Sequence, residues 1–198
     1  MPSPSKTFLF DVMSTLVYDP IHREIPAFFD LELQELYDRN HPTAWVDFER
    51  GQISEDEFYR LYLPDDPDPI DGDALRETLH EAYRFLPGIP ELLDAITDRH
   101  GPGHALSNYP VWSQIIEQRL QLSRWISWDF VSWKTGHRKP SPEAYQLVLH
   151  TLECPPEQLI FVDDRQSNCH AARQLGIDAI RFQDADHLRR QLRERRLL

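Results

Sequence analysis

Lysine is almost missing from this chain. Only Lys6, Lys134 and Lys139 occur among 198 residues, and arginine supplies nearly all the remaining positive charge. A lysine at a chemically demanding position therefore stands out more than usual. Cysteine is equally scarce. Cys154 and Cys169 cannot form a disulfide framework, and their spacing to histidines matches no zinc pattern, so two reduced thiols in a cytoplasmic protein are expected. No apolar run approaches the roughly 20 residues that a membrane-spanning helix needs. The first residues, Met1 to Lys6, run directly into a strand-like segment, which argues against a signal peptide.

Basic surface is also lacking. Acidic residues outnumber basic ones by 33 to 21, giving a net charge of -12. Nucleic-acid binders need basic patches against the phosphate backbone, so that class is excluded, as is a membrane partner. A small-molecule partner is expected instead.

Strand-like and helix-like segments alternate through the second half of the chain. Helices are predicted over 89–99, 111–120, 141–152, 168–175 and 185–196, with strands over 104–106, 130–132, 159–162 and 179–182. Ser141-Pro142-Glu143 carries a capping hydroxyl, an early proline and early acidity, and Gly176 suits a helix C-terminus. An N-terminal strand covers 7–10. Such alternation predicts an α/β fold, a Rossmann-like parallel sheet with helices on both faces. Chemistry in these sheets collects beyond the carboxyl ends of the strands. Asp11, Ser107 and the Asp163-Asp164 pair each follow a strand, so they are expected on one rim.

Residues 18–84 read differently. They are helical and aromatic-rich, with a capping box at Ser54 and Glu57 and a proline- and aspartate-rich loop over 64–73. We expect a small α-helical cap over 18–84 inserted into a core domain of 1–17 and 85–198. Its aromatic residues are expected to form the cap's own core. Trp125, Trp128 and Trp133 are expected to pack rather than to stack on substrate.

The chemistry-bearing residues resemble the haloacid dehalogenase superfamily. Phe10-Asp11 with Thr15-Leu16 is similar to its first motif and Leu106-Ser107-Asn108 to its second. Arg138-Lys139-Pro140 with Tyr145 resembles the third motif, and Phe161-Val162-Asp163-Asp164 the fourth. Motif spacing and the compact cap also resemble the sugar-1-phosphate phosphatases and the phosphatase domain of epoxide hydrolases. The resemblance implies a Mg²⁺-dependent hydrolase, with a small phosphate ester as substrate and an aspartyl-phosphate intermediate on Asp11. It also implies Mg²⁺ ligation by Asp11, Asp164 and the backbone carbonyl of Met13, with Asp163 acting mainly through water. Ser107, Asn108 and Lys139 would bind phosphate, and Lys139 would neutralise charge as the reaction proceeds. Lys134 competes for that role, but Lys139 has the flanking Arg138 and Pro140. Thr15 is expected to hold the loop after Asp11.

One departure matters. Most phosphatases of this superfamily carry a second aspartate two residues after the nucleophile, where this chain has Met13; the residue that follows, often glycine, is Ser14. A thioether cannot transfer protons. A phosphatase acting on an ester with a good leaving group remains one reading, and His22 or His137 would be other proton sources. A 2-haloacid dehalogenase-like hydrolase and a catalytically impaired binding or regulatory protein are the alternatives.

Overall fold

The computed structural model describes residues 6–66 and 68–198. The reading of the N-terminus therefore lies largely outside the described residues, and so does Pro67 of the predicted loop. Five parallel strands form the sheet: β1 (Thr7–Phe10), β2 (Gly103–Ser107), β3 (Ile126–Val131), β4 (Leu159–Asp163) and β5 (Asp178–Arg181), in the order β3-β2-β1-β4-β5. The helices between β1 and β2 are α1 (Glu24–Phe28), α2 (Leu33–Arg39), α3 (Ala44–Glu49), α4 (Glu55–Leu61), α5 (Gly72–Ala82) and α6 (Ile89–His100). Later come α7 (Ser113–Leu120), α8 (Ser132–Thr135), α9 (Pro142–Leu152), α10 (Gln166–Gln174) and α11 (Ala185–Glu194).

Side chains alternate across the sheet, as the period of two requires. Leu9, Leu106 and Phe161 pack with Tyr145 and Val148 of α9 and Ala172 of α10. Phe8, Phe10, Ile160 and Val162 face the other way, toward Leu92 and Ile96 of α6, Ile115 of α7 and Leu188 of α11. Both faces are thus covered by helices, and β4 is buried throughout, which explains its unbroken apolar sequence.

Several predicted elements shift. The third strand starts at Ile126 and ends at Val131, because Trp128 and Asp129 lie on the sheet's exposed edge where polarity is tolerated; Ser132 begins α8. Gly72 and Asp73 belong to α5, capped by the Asp71 side chain on the Ala74 amide, so the loop ends earlier than predicted. The Ser54–Glu57 capping box forms as read. Ser141 sits at the N-cap of α9, but its hydroxyl donates to the Glu143 carboxylate instead of accepting from the backbone.

The aromatic residues of 18–84 do not form a separate core. Phe48 and Phe58 stack with ring centroids 4.5 Å apart, and both pack on Trp112 before α7. Their cluster is continuous with the apolar face of the sheet. At its base, the helical segment leaves and rejoins the α/β body side by side. The Tyr18 amide donates to the Arg84 carbonyl and the Leu86 amide to the Leu16 carbonyl, at 2.9 and 3.0 Å. Among the described residues, no helix is long and apolar enough to cross a membrane.

Candidate active site

The sheet order reverses at β1. The chain moves from β1 to β2 and β3 on one side, then returns to β4 and β5 on the other. Strand ends at such a reversal leave a crevice for ligands. Register sets what occupies it. Phe10 pairs with Val162, and the Asp11 amide donates to the Val162 carbonyl at 2.9 Å, so Asp11 emerges beside Asp163.

Asp11, Asp163 and Asp164 each bring one carboxylate oxygen within 4.8 Å of the others. Lys139 is buried between two of them: its ammonium donates to Asp11 Oδ1 and Asp163 Oδ2, both at 2.7 Å. Asp163 is completely buried and also accepts from the Arg165 amide at 2.8 Å and from Asn168 Nδ2 at 3.0 Å. Its oxygens are largely spoken for. Asp11 and Asp164 keep free lone pairs, so the donor set suits a hard divalent cation held chiefly by these two.

The same packing alters proton affinities. Burial pushes the Asp11 carboxyl up to about 7, although the Lys139 ammonium pulls it down; the neighbouring Asp163 and Asp164 charges add to the rise. Burial also raises Asp164, assisted by Asp163. For Lys139, desolvation opposes the charged form, but the two carboxylates outweigh it and keep the ammonium protonated.

Each residue singled out from sequence has a definite place. Ser107, at the end of β2, is buried and its hydroxyl has no hydrogen-bond partner among the described residues, an orphaned donor of the kind that an anion satisfies. Asn108 lines the cavity but holds Lys139 through two bonds of 2.8 Å, accepting from its amide and donating to its carbonyl. Lys134 is not a competitor for Lys139, since it donates to the Trp128 carbonyl on an exposed edge. Thr15 donates to Asp11 Oδ2 at 3.1 Å, so it orients the carboxylate directly. Met13 is buried and lines the cavity, and Ser14 adopts a left-handed φ of 59°, the conformation that favours glycine. Trp125, Trp128 and Trp133 donate to Asp94, Glu117 and Ser113, none of which lines the cavity.

The cavity above Asp11 has a volume of about 400 Å³. Its far wall comes from the helical segment, including Tyr37, Trp45, Val46 and Glu49. Glu49 is buried, accepts from Trp45 Nε1 at 2.7 Å, and meets Arg138 at 2.6 Å as an ion contact rather than an aligned hydrogen bond. His22 also lines the cavity, whereas His137 and His170 do not. Sequence reading missed Asn168, Glu49, Asp19 and Tyr37. For Asn168, five residues after Asp163 near the start of a helix, the spacing was a usable signal. The others had none, because only folding of the helical segment aims them at Asp11.

Comparison with known proteins shows the family. Residues 5–176 match the haloacid dehalogenase-like hydrolase family. Flavin mononucleotide hydrolase 1 of Arabidopsis thaliana is 40% identical over 184 residues, covering 93% of this chain and 75% of that protein. D-ribitol-5-phosphate phosphatase of Bacteroides thetaiotaomicron is 26% identical over 203 residues, covering 94% and 96%. A haloacid dehalogenase family enzyme from the same bacterium, crystallised with magnesium and inorganic phosphate, superimposes with a TM-score of 0.78 at 19% identity, covering 93% of this chain and 98% of that one. The chain belongs to the haloacid dehalogenase-like hydrolases.

Proposed function

We propose that this hydrolase is a Mg²⁺-dependent phosphatase of a small phosphorylated metabolite, with Asp11 as nucleophile. The observation that carries the reading is the convergence of Asp11, Asp163 and Asp164 within 4.8 Å beside a buried, charged Lys139. Asp11 and Asp164, with the Met13 carbonyl, would hold the cation, and Asp163 would act mainly through water, consistent with its oxygens being engaged elsewhere. The bound cation would neutralise charge between the nucleophile and a phosphate dianion. Ser107 and the Lys139 ammonium would then receive phosphoryl oxygens, with the remaining amide proton of Asn108 available to a third. Helices α1–α5 would serve as the cap over 18–84, supported by the hydrogen-bonded entry and exit segments and by the cavity wall they supply.

The names of the similar proteins favour phosphate esters, one of a flavin nucleotide and one of a sugar alcohol. The 2-haloacid dehalogenase reading is disfavoured by the acidic cluster, because attack on a halogen-bearing carbon has no phosphate dianion for a bound cation to offset. The test is phosphate release from p-nitrophenyl phosphate. Activity should require Mg²⁺, and Asp11→Asn should lower it by about 10⁴-fold or more while leaving the fold intact. Halide release from a 2-haloacid without Mg²⁺ would support the dehalogenase reading, and inactivity with both substrates a binding or regulatory protein.

A further inference from the structure

The phosphatase reading leaves one step without an agent. Met13 cannot protonate a departing alkoxide, yet alkyl esters leave poorly as bare anions. Among the described residues, besides Asp11 and Asp164, three carboxyl or imidazole side chains line the cavity: Asp19, His22 and Glu49. Glu49 is committed to Trp45 and Arg138 through its two oxygens. His22 is exposed, on the turn at the cavity mouth. The phenol of Tyr109, also on the cavity wall, shares a 2.6 Å hydrogen bond with Tyr83, and burial raises it well above the ordinary tyrosine range, making it a poor acid.

We propose that Asp19, eight residues after the nucleophile instead of two, is the general acid and base that position 13 cannot supply. Its backbone is extended and fixed, following the Tyr18–Arg84 pairing at the base of the helical segment. Oδ1 accepts from the Ile21 amide at 3.0 Å, and no described residue donates a hydrogen bond to the second oxygen. That carboxyl shares the cavity with Asp11 and lies close enough to Asp164, Arg165 and His22 to feel their charges. Burial raises its proton affinity, the largest of the influences on it, and so favours the form that can donate.

The step balances as follows. An Asp11 carboxylate oxygen bonds to phosphorus while the bond from phosphorus to the ester oxygen breaks. The leaving oxygen keeps that electron pair and takes the Asp19 proton. Asp19, now a carboxylate, accepts a proton from water as the water oxygen bonds to phosphorus and the bond from phosphorus to the Asp11 oxygen breaks, its electron pair returning to the Asp11 carboxylate. Phosphate departs, and both side chains return to their starting states.

This inference rests on the phosphatase reading, and the experiment separates the two. Asp19→Asn keeps an oxygen for the Ile21 amide, so the turn should fold. For p-nitrophenyl phosphate, whose leaving group needs little protonation, kcat should fall with loss of the base, but kcat/KM should lose far less than with an alkyl ester. For glycerol phosphate, it should fall by about 10²-fold or more. Acid-quenched Asp19→Asn incubated with the aryl ester should also accumulate phosphorylated protein by intact mass, because the base for hydrolysis is gone. Adding Met13→Asp to Asp19→Asn should recover glycerol phosphate hydrolysis. Equal losses on both esters, no loss on glycerol phosphate, or a larger selective loss in His22→Ala would overturn the assignment to Asp19. A wild-type protein that releases no phosphate from either ester would instead overturn the phosphatase reading.

Discussion

The two walls of the cavity are built on different principles. The sheet rim places Asp11, Asp163 and Lys139 on strand ends and adjoining turns, buried and cross-linked by bonds of 2.7 Å. The opposite wall, from α2 and α3, offers half-exposed and aromatic side chains; Tyr37 remains 47% exposed there. Rigid placement serves groups that must meet charge developing at one atom. A looser, more varied wall suits recognition of whatever that atom is attached to. The rim should therefore control the chemical step, and the helical wall the binding of substrate.

Among variants that keep the Asp11 carboxylate, the largest effect should come from Lys139→Met on the rim. It removes the cation between Asp11 and Asp163, so turnover should fall by about 10³-fold, and the unpaired buried carboxylates should cost about 3 kcal/mol of unfolding free energy, read by denaturant titration. A stable but inactive variant would separate the lysine's proposed catalytic role from its structural one. Tyr37→Ala tests the other wall. It should raise KM by about ten-fold with little change in kcat, since a substrate contact made equally in ground and transition states shows in KM alone. A fall in kcat would show that the walls do not divide the work in this way.

Protonation should distinguish them as well. The Asp11 carboxyl, raised to about 7 by burial, binds its proton more tightly in the folded state than in the unfolded chain. Without cation, its contribution to stability therefore declines as pH rises from about 4 through about 7. A divalent cation needs the ionised form, so the Mg²⁺-induced rise in Tm should be larger at about pH 8 than at about pH 6. Tyr37→Ala retains Asp11 and should show the same pH dependence as wild type. The smallest effect should be Ser14→Gly. Relief of the left-handed φ of 59° should stabilise the fold by about 1 kcal/mol, reduced somewhat by the added freedom of the unfolded chain.

Much of the rim was legible before the fold. Asp11, Ser107 and Asp163 each follow a short apolar run, and a carboxylate or hydroxyl at the end of a buried strand is conspicuous against its neighbours. Lys139 was legible because lysine is so rare here and because Arg138 and Pro140 flank it. The helical wall was legible only as a composition. Trp45 and Tyr62 line the cavity while also packing on Phe58, whereas Phe48 and Phe58 lie behind them against Trp112, a difference among aromatics of one cluster that helix periodicity did not reveal. Strand ends also moved where exposed edges tolerate polar residues, as at Trp128 and Asp129.

From the amino-acid order alone came the α/β alternation, the inserted helical stretch and the set of acids with their lysine, since hydrophobic period, capping chemistry and motif order are local properties. Tertiary structure decided that Phe10 pairs with Val162, that Lys139 and not Lys134 bridges the acids, and that Asp19 looks into the same cavity as Asp11. Those relations depend on strand register, sheet order and the docking of helices from distant parts of the chain, and no local pattern encodes the distances they set.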